Sequence, residues 1–123
     1  MIDHVTRSVL VVDDDPEFRK LARRLLGASG LSVVGEAGSA SAALSEADRL
    51  RPSAVLLDVE LPDGDGITLA RELAALPWHP RIVLTSIDRD ITTTDEARNA
   101  GASAFVNKAD LPNAPLPALL GFD

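Results

Sequence analysis

The chain has 123 residues, which is enough for one domain with a single hydrophobic core and too few for two ordinary domains. Hydrophobic residues make up 46% of the sequence but aromatic residues only 3%, so the core must be built from Val, Leu, Ile and Ala. A net charge of −7 argues against unassisted binding to nucleic acid or to an anionic membrane, and the absence of cysteine excludes disulfide bonds and thiolate metal sites.

Five short apolar runs, rich in β-branched residues and bounded by polar or turn residues, predict buried strands. In chain order they are SVLVVDD, LSVVGEA, AVLLDV, RIVLTS and SAFVNK, of which LSVVGEA is the weakest. Helical periodicity between them predicts helices at about 18–26, 41–50, 67–76 and 93–100, each ended by a Gly or Pro signal. Strict alternation of helices with almost wholly apolar strands is typical of an α/β fold whose parallel sheet is covered on both faces.

We expect a single domain over residues 1–123, with its core at about 8–109 and a short proline-containing tail or helix at 110–123. No stretch approaches the ~18 consecutive apolar residues of a membrane span, and MIDHVTRS at the N-terminus lacks the apolar core of a signal peptide. The expectation is therefore a cytoplasmic protein with no membrane partner.

Polar residues lie at the carboxyl ends of four of the predicted strands. Asp13 and Asp14 end the first strand, Asp58 lies near the end of the third, Thr85 ends the fourth and Lys108 ends the fifth. Ligands of doubly wound sheets bind at the carboxyl ends of the strands, where the chain order switches direction. These five side chains are therefore predicted to share one site.

The first strand runs into three consecutive aspartates, residues 13–15. Asp15 is followed by Pro and Glu, which is typical of a helix start, so we interpret it as a structural N-cap. Asp13 and Asp14 are not explained by capping. Together with Asp58 they would form a carboxylate cluster that a hard divalent cation such as Mg²⁺ can neutralise through oxygen ligands.

The same constellation suits phosphoryl chemistry. A carboxylate can act as a nucleophile and form an acyl phosphate, and a metal ion at the site can offset the charge that develops during transfer. Lys108 would supply a positive charge to the phosphoryl group, and Thr85 would supply a hydroxyl donor to another of its oxygens.

The sequence resembles the CheY-like receiver domain of the two-component response regulators over about residues 8–109. VLVVDDDP resembles the acidic-pair strand of that family, AVLLDVELPDGDGI the phosphoacceptor strand, IVLTS the Thr/Ser strand and GASAFVNK the strand that carries an aromatic residue and Lys. The resemblance implies a flavodoxin-like (βα)5 fold, a doubly wound five-stranded parallel sheet in three α/β/α layers. It also implies an aspartate that takes a phosphoryl group from a histidine kinase in the presence of Mg²⁺ and thereby rearranges a protein-interaction surface.

By this resemblance Asp58 is the phosphoacceptor. Asp13 and Asp14 are the acidic pair that holds Mg²⁺, with Asp14 the closer ligand, and Asp58 and the backbone carbonyl of Glu60 complete the protein ligands. The side chain of Glu60 falls at a position that affects how long the phosphoryl group survives, and the sequence leaves open whether it orients or repels water.

The resemblance also assigns the switch. Lys108 would pair with the phosphoryl group and Thr85 would donate a hydrogen bond to it. Phe105 falls where the family places an aromatic residue that turns inward when the Thr moves toward the phosphoryl group. The alternative interpretation of Phe105 is an ordinary core residue.

Two features depart from the family pattern. The family usually has a Lys-Pro pair with a cis bond, but here Ala109 follows Lys108, and a cis bond before a non-proline residue would cost ~2.5–4 kcal/mol. A trans bond and a strained cis bond both remain open at this point. Three prolines in the tail leave room only for a short last helix, so the output surface and the mode of any homodimer are open as well.

The sequence is compatible with two other functions. Residues 13–15 also match the D-x-D motif of haloacid-dehalogenase-type phosphatases, with Asp13 as nucleophile, although Pro16 interrupts the motif and no late acidic pair or cap domain follows. A receiver fold that is never phosphorylated, a pseudo-receiver acting as a docking module, is the second alternative.

The expected partners are a histidine kinase as phosphodonor and a downstream protein or fused output domain. The chain would act alone or as the N-terminal part of a transcriptional response regulator, would not bind nucleic acid by itself, and would not be an enzyme beyond its own phosphotransfer and dephosphorylation.

Overall fold

The computed structural model describes residues 7–87 and 94–122. Its strands and helices alternate along the chain. The strands are β1 (Ser8–Val12), β2 (Ser32–Ala37), β3 (Ala54–Asp58), β4 (Glu60–Leu61), β5 (Gly64–Asp65), β6 (Arg81–Ser86) and β7 (Ala104–Asn107). The helices are α1 (Pro16–Ala28), α2 (Ala40–Leu50), α3 (Gly66–Ala74), α4 (Thr94–Asn99), a 3₁₀ helix (Lys108–Asn113) and α5 (Leu116–Leu119).

Within the described ranges, five strands form one parallel sheet in the order β2-β1-β3-β6-β7. This is the flavodoxin-like order, in which the chain direction switches between β1 and β3. All residues of β1 and β3 are buried, and all but Ser8 and Asp58 are apolar, as expected for strands covered on both faces. The predicted five-stranded α/β fold is confirmed.

Alternate side chains of the strands pack into two hydrophobic clusters, one on each face of the sheet. Leu10, Val12 and their neighbours pack with α2, α3 and α4. Val9, Val11 and their neighbours pack with α1 and the C-terminal segment. Within residues 7–87 and 94–122, no helix has the length and apolar character needed to cross a membrane.

The helix ends lie within two residues of the predicted ones, and the largest differences include α1, which starts at Pro16 rather than about residue 18 and ends at Ala28 rather than 26. The predicted fourth helix began at Thr93, which lies outside the described residues. Asp15 is the N-cap of α1, as predicted: its carboxylate accepts a hydrogen bond from the Glu17 N–H at 3.0 Å. The small antiparallel hairpin β4–β5 was not predicted, because its strands are only two residues long.

The tail contains one turn of α-helix after the 3₁₀ helix, which agrees with the expectation of a short last helix. The Lys108–Ala109 peptide bond is trans. The side-chain oxygen of Asn107 accepts a hydrogen bond from the Ala109 N–H at 3.0 Å and caps the 3₁₀ helix. Proline at position 109 would lack this N–H, so the cap requires a residue other than proline there.

Asp63 in the β4–β5 turn caps the start of α2, although it lies more than twenty residues later in the sequence. Its carboxylate accepts hydrogen bonds from the N–H groups of Ala40 at 2.7 Å and Ser41 at 3.1 Å, and these bonds hold its pKa below the ordinary value. The turn that follows β3 is thereby tied to the start of a helix on the same side of the sheet.

We expect Asp63→Ala to lower the thermal unfolding midpoint at neutral pH. Because the carboxyl pKa is depressed in the folded protein, the contribution is present above the unfolded-state pKa and is lost as the pH falls through the folded-state pKa. The difference from the parent should therefore shrink in acid. Asp48→Ala, an exposed aspartate within α2, is the charge-matched control in the same melting series, and an equal loss for both variants would contradict the capping role.

Candidate functional site

The carboxyl ends of β1, β3 and β7 surround a cleft of about 430 Å³. Asp13 directly follows β1, Asp58 is the last residue of β3, and Lys108 directly follows β7. Other described residues of the wall include Asp14, Asp15, Glu60, Leu61, Pro62 and Ile87. The four predicted residues Asp13, Asp14, Asp58 and Lys108 are therefore brought together, as the position of the strand ends requires.

Asp13 is fully buried and held from several directions. One carboxylate oxygen, Oδ1, accepts a hydrogen bond from the Asp15 N–H at 2.9 Å, and the other, Oδ2, lies 2.6 Å from Lys108 Nζ. Oδ2 nevertheless receives no hydrogen bond of ordinary geometry from the described residues. A buried carboxylate oxygen with an ion pair but no hydrogen bond has unused capacity to coordinate a cation.

Asp58 is 6% exposed, and its Oδ1 accepts a hydrogen bond from the Glu60 N–H at 3.3 Å. Burial and the neighbouring charge of Asp13 raise its pKa to about 6, although Lys108 Nζ, 3.7 Å from Oδ2, and the Glu60 N–H act in the opposite direction. In the absence of a cation the carboxylate of Asp58 therefore ionises at a cost in free energy.

Lys108 bridges the two aspartates, and its side chain is 14% exposed. Its Nζ also lies 4.1 Å from the centroid of the Phe18 ring, over the face of an aromatic residue on α1. The ring forms an apolar wall that directs the ammonium group toward the carboxylates.

Thr85 is paired with Asp58 in the register of β3 and β6, and it is fully buried. Its hydroxyl donates a long hydrogen bond of 3.4 Å to the Leu57 carbonyl. Phe105 is half-buried in β7 and packs against the cluster that contains Leu10. Among the described residues, the wall of the cleft includes neither Thr85 nor Phe105, so these two lie behind it.

Gly66 at the start of α3 supports the site, a role that was not predicted from the sequence. Its N–H donates a hydrogen bond of 2.6 Å to the Val59 carbonyl. A Cβ at this position would overlap the Asp58 carbonyl oxygen and approach Val59 Cα to 2.7 Å. The sequence did contain the signal, because Gly66 ends the segment DGDG just after the phosphoacceptor-like strand.

The donors fit a hard divalent cation. The carboxylate oxygens of Asp13, Asp14 and Asp58 lie within 4.8 Å of one another, and Asp14 is exposed to the cleft side. These are oxygen ligands of the type Mg²⁺ prefers, on a cleft wide enough to leave room for water ligands. Together with the unsaturated Oδ2 of Asp13, this donor set suits Mg²⁺ better than a softer metal.

The chain is similar in sequence to a known protein family and to several characterised proteins. Residues 9–114 match the response regulator receiver domain family. The chain is 35% identical over 116 residues to the transcriptional regulatory protein PdtaR of Mycobacterium tuberculosis, covering 94% of this chain and 56% of that protein. It is 44% identical over 102 residues to the DNA-binding transcriptional activator DevR/DosR of the same organism, covering 81% and 46%.

A protein-glutamate methylesterase/protein-glutamine glutaminase of Alkalilimnicola ehrlichii is 39% identical over 101 residues, which is 80% of this chain and 26% of that protein. The chain thus spans between about a quarter and about half of the length of these curated relatives.

Among solved structures, the signal receiver domain of the putative response regulator NarL from Mycobacterium tuberculosis superposes with a TM-score of 0.79 at 32% identity, covering 93% of this chain and 96% of that one. The family match covers most of the chain, and the solved receiver domain has the same fold over almost its whole length. The chain belongs to the receiver domain family of the two-component response regulators, which are regulatory phosphoacceptor modules.

Proposed function

We propose that Asp58 is the phosphoacceptor of this domain and that Asp13, Asp14, Asp58 and the Glu60 backbone carbonyl hold Mg²⁺ during the transfer. The observation that carries the proposal is the position of the Asp58 carboxylate, at the end of a central strand, on an open cleft, between an acidic neighbour and the ammonium of Lys108. Mg²⁺, when bound, would neutralise the carboxylates and offset charge on the phosphoryl oxygens.

In the proposed transfer, an oxygen of the Asp58 carboxylate forms a bond to phosphorus while the bond from phosphorus to the donor's leaving atom breaks. The product is an acyl phosphate, and the leaving group keeps the electron pair of the broken bond. The Nζ of Lys108 lies 3.7 Å from Asp58 Oδ2, and this ammonium would move toward the new phosphoryl oxygens. This movement would weaken its contact with Asp13.

Thr85 and Phe105 form the proposed switch. The Thr85 hydroxyl holds only a 3.4 Å bond to the Leu57 carbonyl, which is a weak contact to exchange for a charged phosphoryl oxygen. Phe105 is half-buried on the neighbouring strand, where it is paired with Leu84, and it would turn inward when Thr85 moves, as the family resemblance implies. A shift between two packed arrangements would then alter the surface around α4 and β7.

The two alternatives receive less support. A phosphatase with Asp13 as nucleophile would need that carboxylate to be accessible to a substrate, but Asp13 is fully buried and its Oδ1 is bonded to the Asp15 N–H. A pseudo-receiver is not favoured, because the acidic cluster, the Thr and the Lys are all in place.

For partners, we propose a histidine kinase as phosphodonor, which would place the domain in the cytoplasm. Residues 1–123 would form one domain. The output would be a protein or a fused domain that reads the switched surface, by homodimer formation or by direct contact. The named activities of the relatives, transcriptional regulation and protein-glutamate methylester hydrolysis, differ among themselves, so the shared receiver is proposed as the controlling module and not as the catalyst.

The test is incubation of the protein with Mg²⁺ and acetyl phosphate, followed by intact mass measurement. We expect one added phosphoryl group, no addition in EDTA, and none for Asp58→Asn. Asp48→Asn, which removes an exposed carboxylate from α2, should label like the parent. Borohydride reduction and peptide mapping would then locate the acyl phosphate, and a modified residue other than Asp58 would overturn the assignment.

A further inference from the structure

The backbone of Asp13, the first of the two adjacent expected metal ligands Asp13 and Asp14, is held by both β2 and α1. The Asp13 N–H donates a hydrogen bond of 2.9 Å to the Ala37 carbonyl of β2. The Asp13 carbonyl accepts a hydrogen bond of 2.6 Å from Arg19 Nη1, on the first turns of α1. Because this carbonyl belongs to the same peptide plane as the Asp14 N–H, Arg19 determines the direction in which the backbone enters Asp14.

Arg19 is itself held in place. Its Nε donates a hydrogen bond of 2.9 Å to Glu36 Oε1, and its side chain is 22% exposed. The other oxygen of Glu36 is bound by Arg23, with Nε at 2.9 Å and Nη2 at 2.8 Å. Arg19 therefore connects the edge strand β2 to the end of β1, whereas Arg23 binds the same glutamate and donates its other hydrogen bond to the Val33 carbonyl of β2.

The positive charge of Arg19 does not favour cation binding at the neighbouring site. A guanidinium next to a site for a divalent cation repels the cation and should weaken its binding. Glu36 offsets this charge, and its own pKa is held below the ordinary value because the hydrogen bonds from Arg23 and Arg19 outweigh the effect of burial. The bond from Arg19 to the Asp13 carbonyl therefore indicates a role in geometry rather than in attracting the cation.

We propose that Arg19, oriented by Glu36, is a positioning residue of the divalent-cation site: it fixes the Asp13–Asp14 peptide so that both carboxylates face one ion. This inference rests on the proposed Mg²⁺ site and adds a residue to it. Residues that orient metal ligands commonly change affinity by about 10-fold or more when they are replaced.

The proposal and the electrostatic interpretation predict opposite signs. If Arg19 positions the ligands, Arg19→Gln should raise the Kd for Mg²⁺ by about 10-fold, even though it removes a positive charge. Arg23→Gln removes the same charge from the same glutamate and should leave the Kd unchanged or slightly lower it. Arg19→Lys keeps the charge but cannot span Glu36 and the Asp13 carbonyl together, so it should also raise the Kd.

The experiment is isothermal titration calorimetry of Mg²⁺ into each variant, with thermal melting in EDTA to show that it is folded. Backbone amide NMR of the metal-free protein gives a second readout, because the Asp14 N–H signal should shift in both Arg19 variants and stay in place in Arg23→Gln. If Arg19→Gln does not fold, Arg19→Lys and Arg23→Lys are compared with the same expected ranking.

Equal Kd values for the Arg19 and Arg23 variants, or tighter binding by Arg19→Gln, would overturn the positioning role while leaving the Mg²⁺ site intact. If the parent protein itself binds no Mg²⁺, the proposed function fails instead, so the two failures are distinguishable.

Discussion

Gly66→Ala is expected to lower the free energy of unfolding by about 3 kcal/mol. The new Cβ would overlap the carbonyl oxygen of Asp58 and come within 2.7 Å of Val59 Cα. Both neighbours are backbone atoms of a buried strand and its extension, so relief requires movement of the main chain rather than rotation of a side chain. The measurement is urea-induced unfolding at neutral pH.

Gly27→Ala is the matched control, because Gly27 also lies in a helix but nothing within 4 Å would meet its Cβ. Alanine there should stabilise the protein by about 0.5–1 kcal/mol, since glycine is a poor helix former. The two substitutions are chemically identical and should have opposite signs. If both are stabilising, the close approach of α3 to the Asp58 peptide is not a constraint on the fold.

Asp58→Asn should raise the free energy of unfolding of the metal-free protein by about 1–2 kcal/mol at neutral pH. Folding raises the pKa of this carboxyl from 3.8 to about 6, so the folded protein binds more protons than the unfolded chain between these values. The stability of the parent therefore falls as the pH rises through this window and remains lower above it. The advantage of the asparagine variant should be absent in acid and fully developed above about pH 6.

When Mg²⁺ is bound, the parent should have a higher free energy of unfolding than Asp58→Asn. A cation that binds only the folded parent adds about 2.7 kcal/mol at about a hundred times its Kd, which exceeds the advantage expected for the variant without metal, and Asp58→Asn should gain much less because it has lost a carboxylate ligand. The measurement is denaturant unfolding with EDTA and with Mg²⁺ across a pH series. An asparagine variant that is less stable than the parent in EDTA at neutral pH would show that Asp58 ionises without the cost assigned to it.

Much of the fold and most of the site follow from local sequence. The apolar strands and the polar residues at their carboxyl ends place Asp13, Asp58 and Lys108 at one edge of a parallel sheet, because parallel strands all end on the same side. The N-cap at Asp15 is equally local. Each of these predictions needs only the residue type and its position along one element.

Most of the features that were missed depend on contacts between elements. The Arg19 bond to the Asp13 carbonyl and the ring of Phe18 beneath Lys108 require the orientation of α1 against the sheet, which periodicity does not give. Asp63 caps a helix that starts more than twenty residues earlier in the sequence. Asn107 is the exception, because its hydrogen bond to the Ala109 N–H is local. Asn often accepts a hydrogen bond from the backbone two residues later, so this turn could have been predicted from the sequence once position 109 was seen not to be proline.

The single turn of α5 has a consequence for how the molecule comes apart. One face of the sheet is covered at this end by Leu116, Leu120 and Phe122, and the turn is tied back by a hydrogen bond of 3.2 Å from Ser103 Oγ to the Leu119 carbonyl. These few contacts can break while the strands of the sheet remain paired. Amide hydrogens of this turn should therefore exchange with solvent far faster than those of β1 and β3, whose exchange requires global unfolding. A mechanical pull on residue 122 would peel away this last turn first and leave the phosphoryl site assembled.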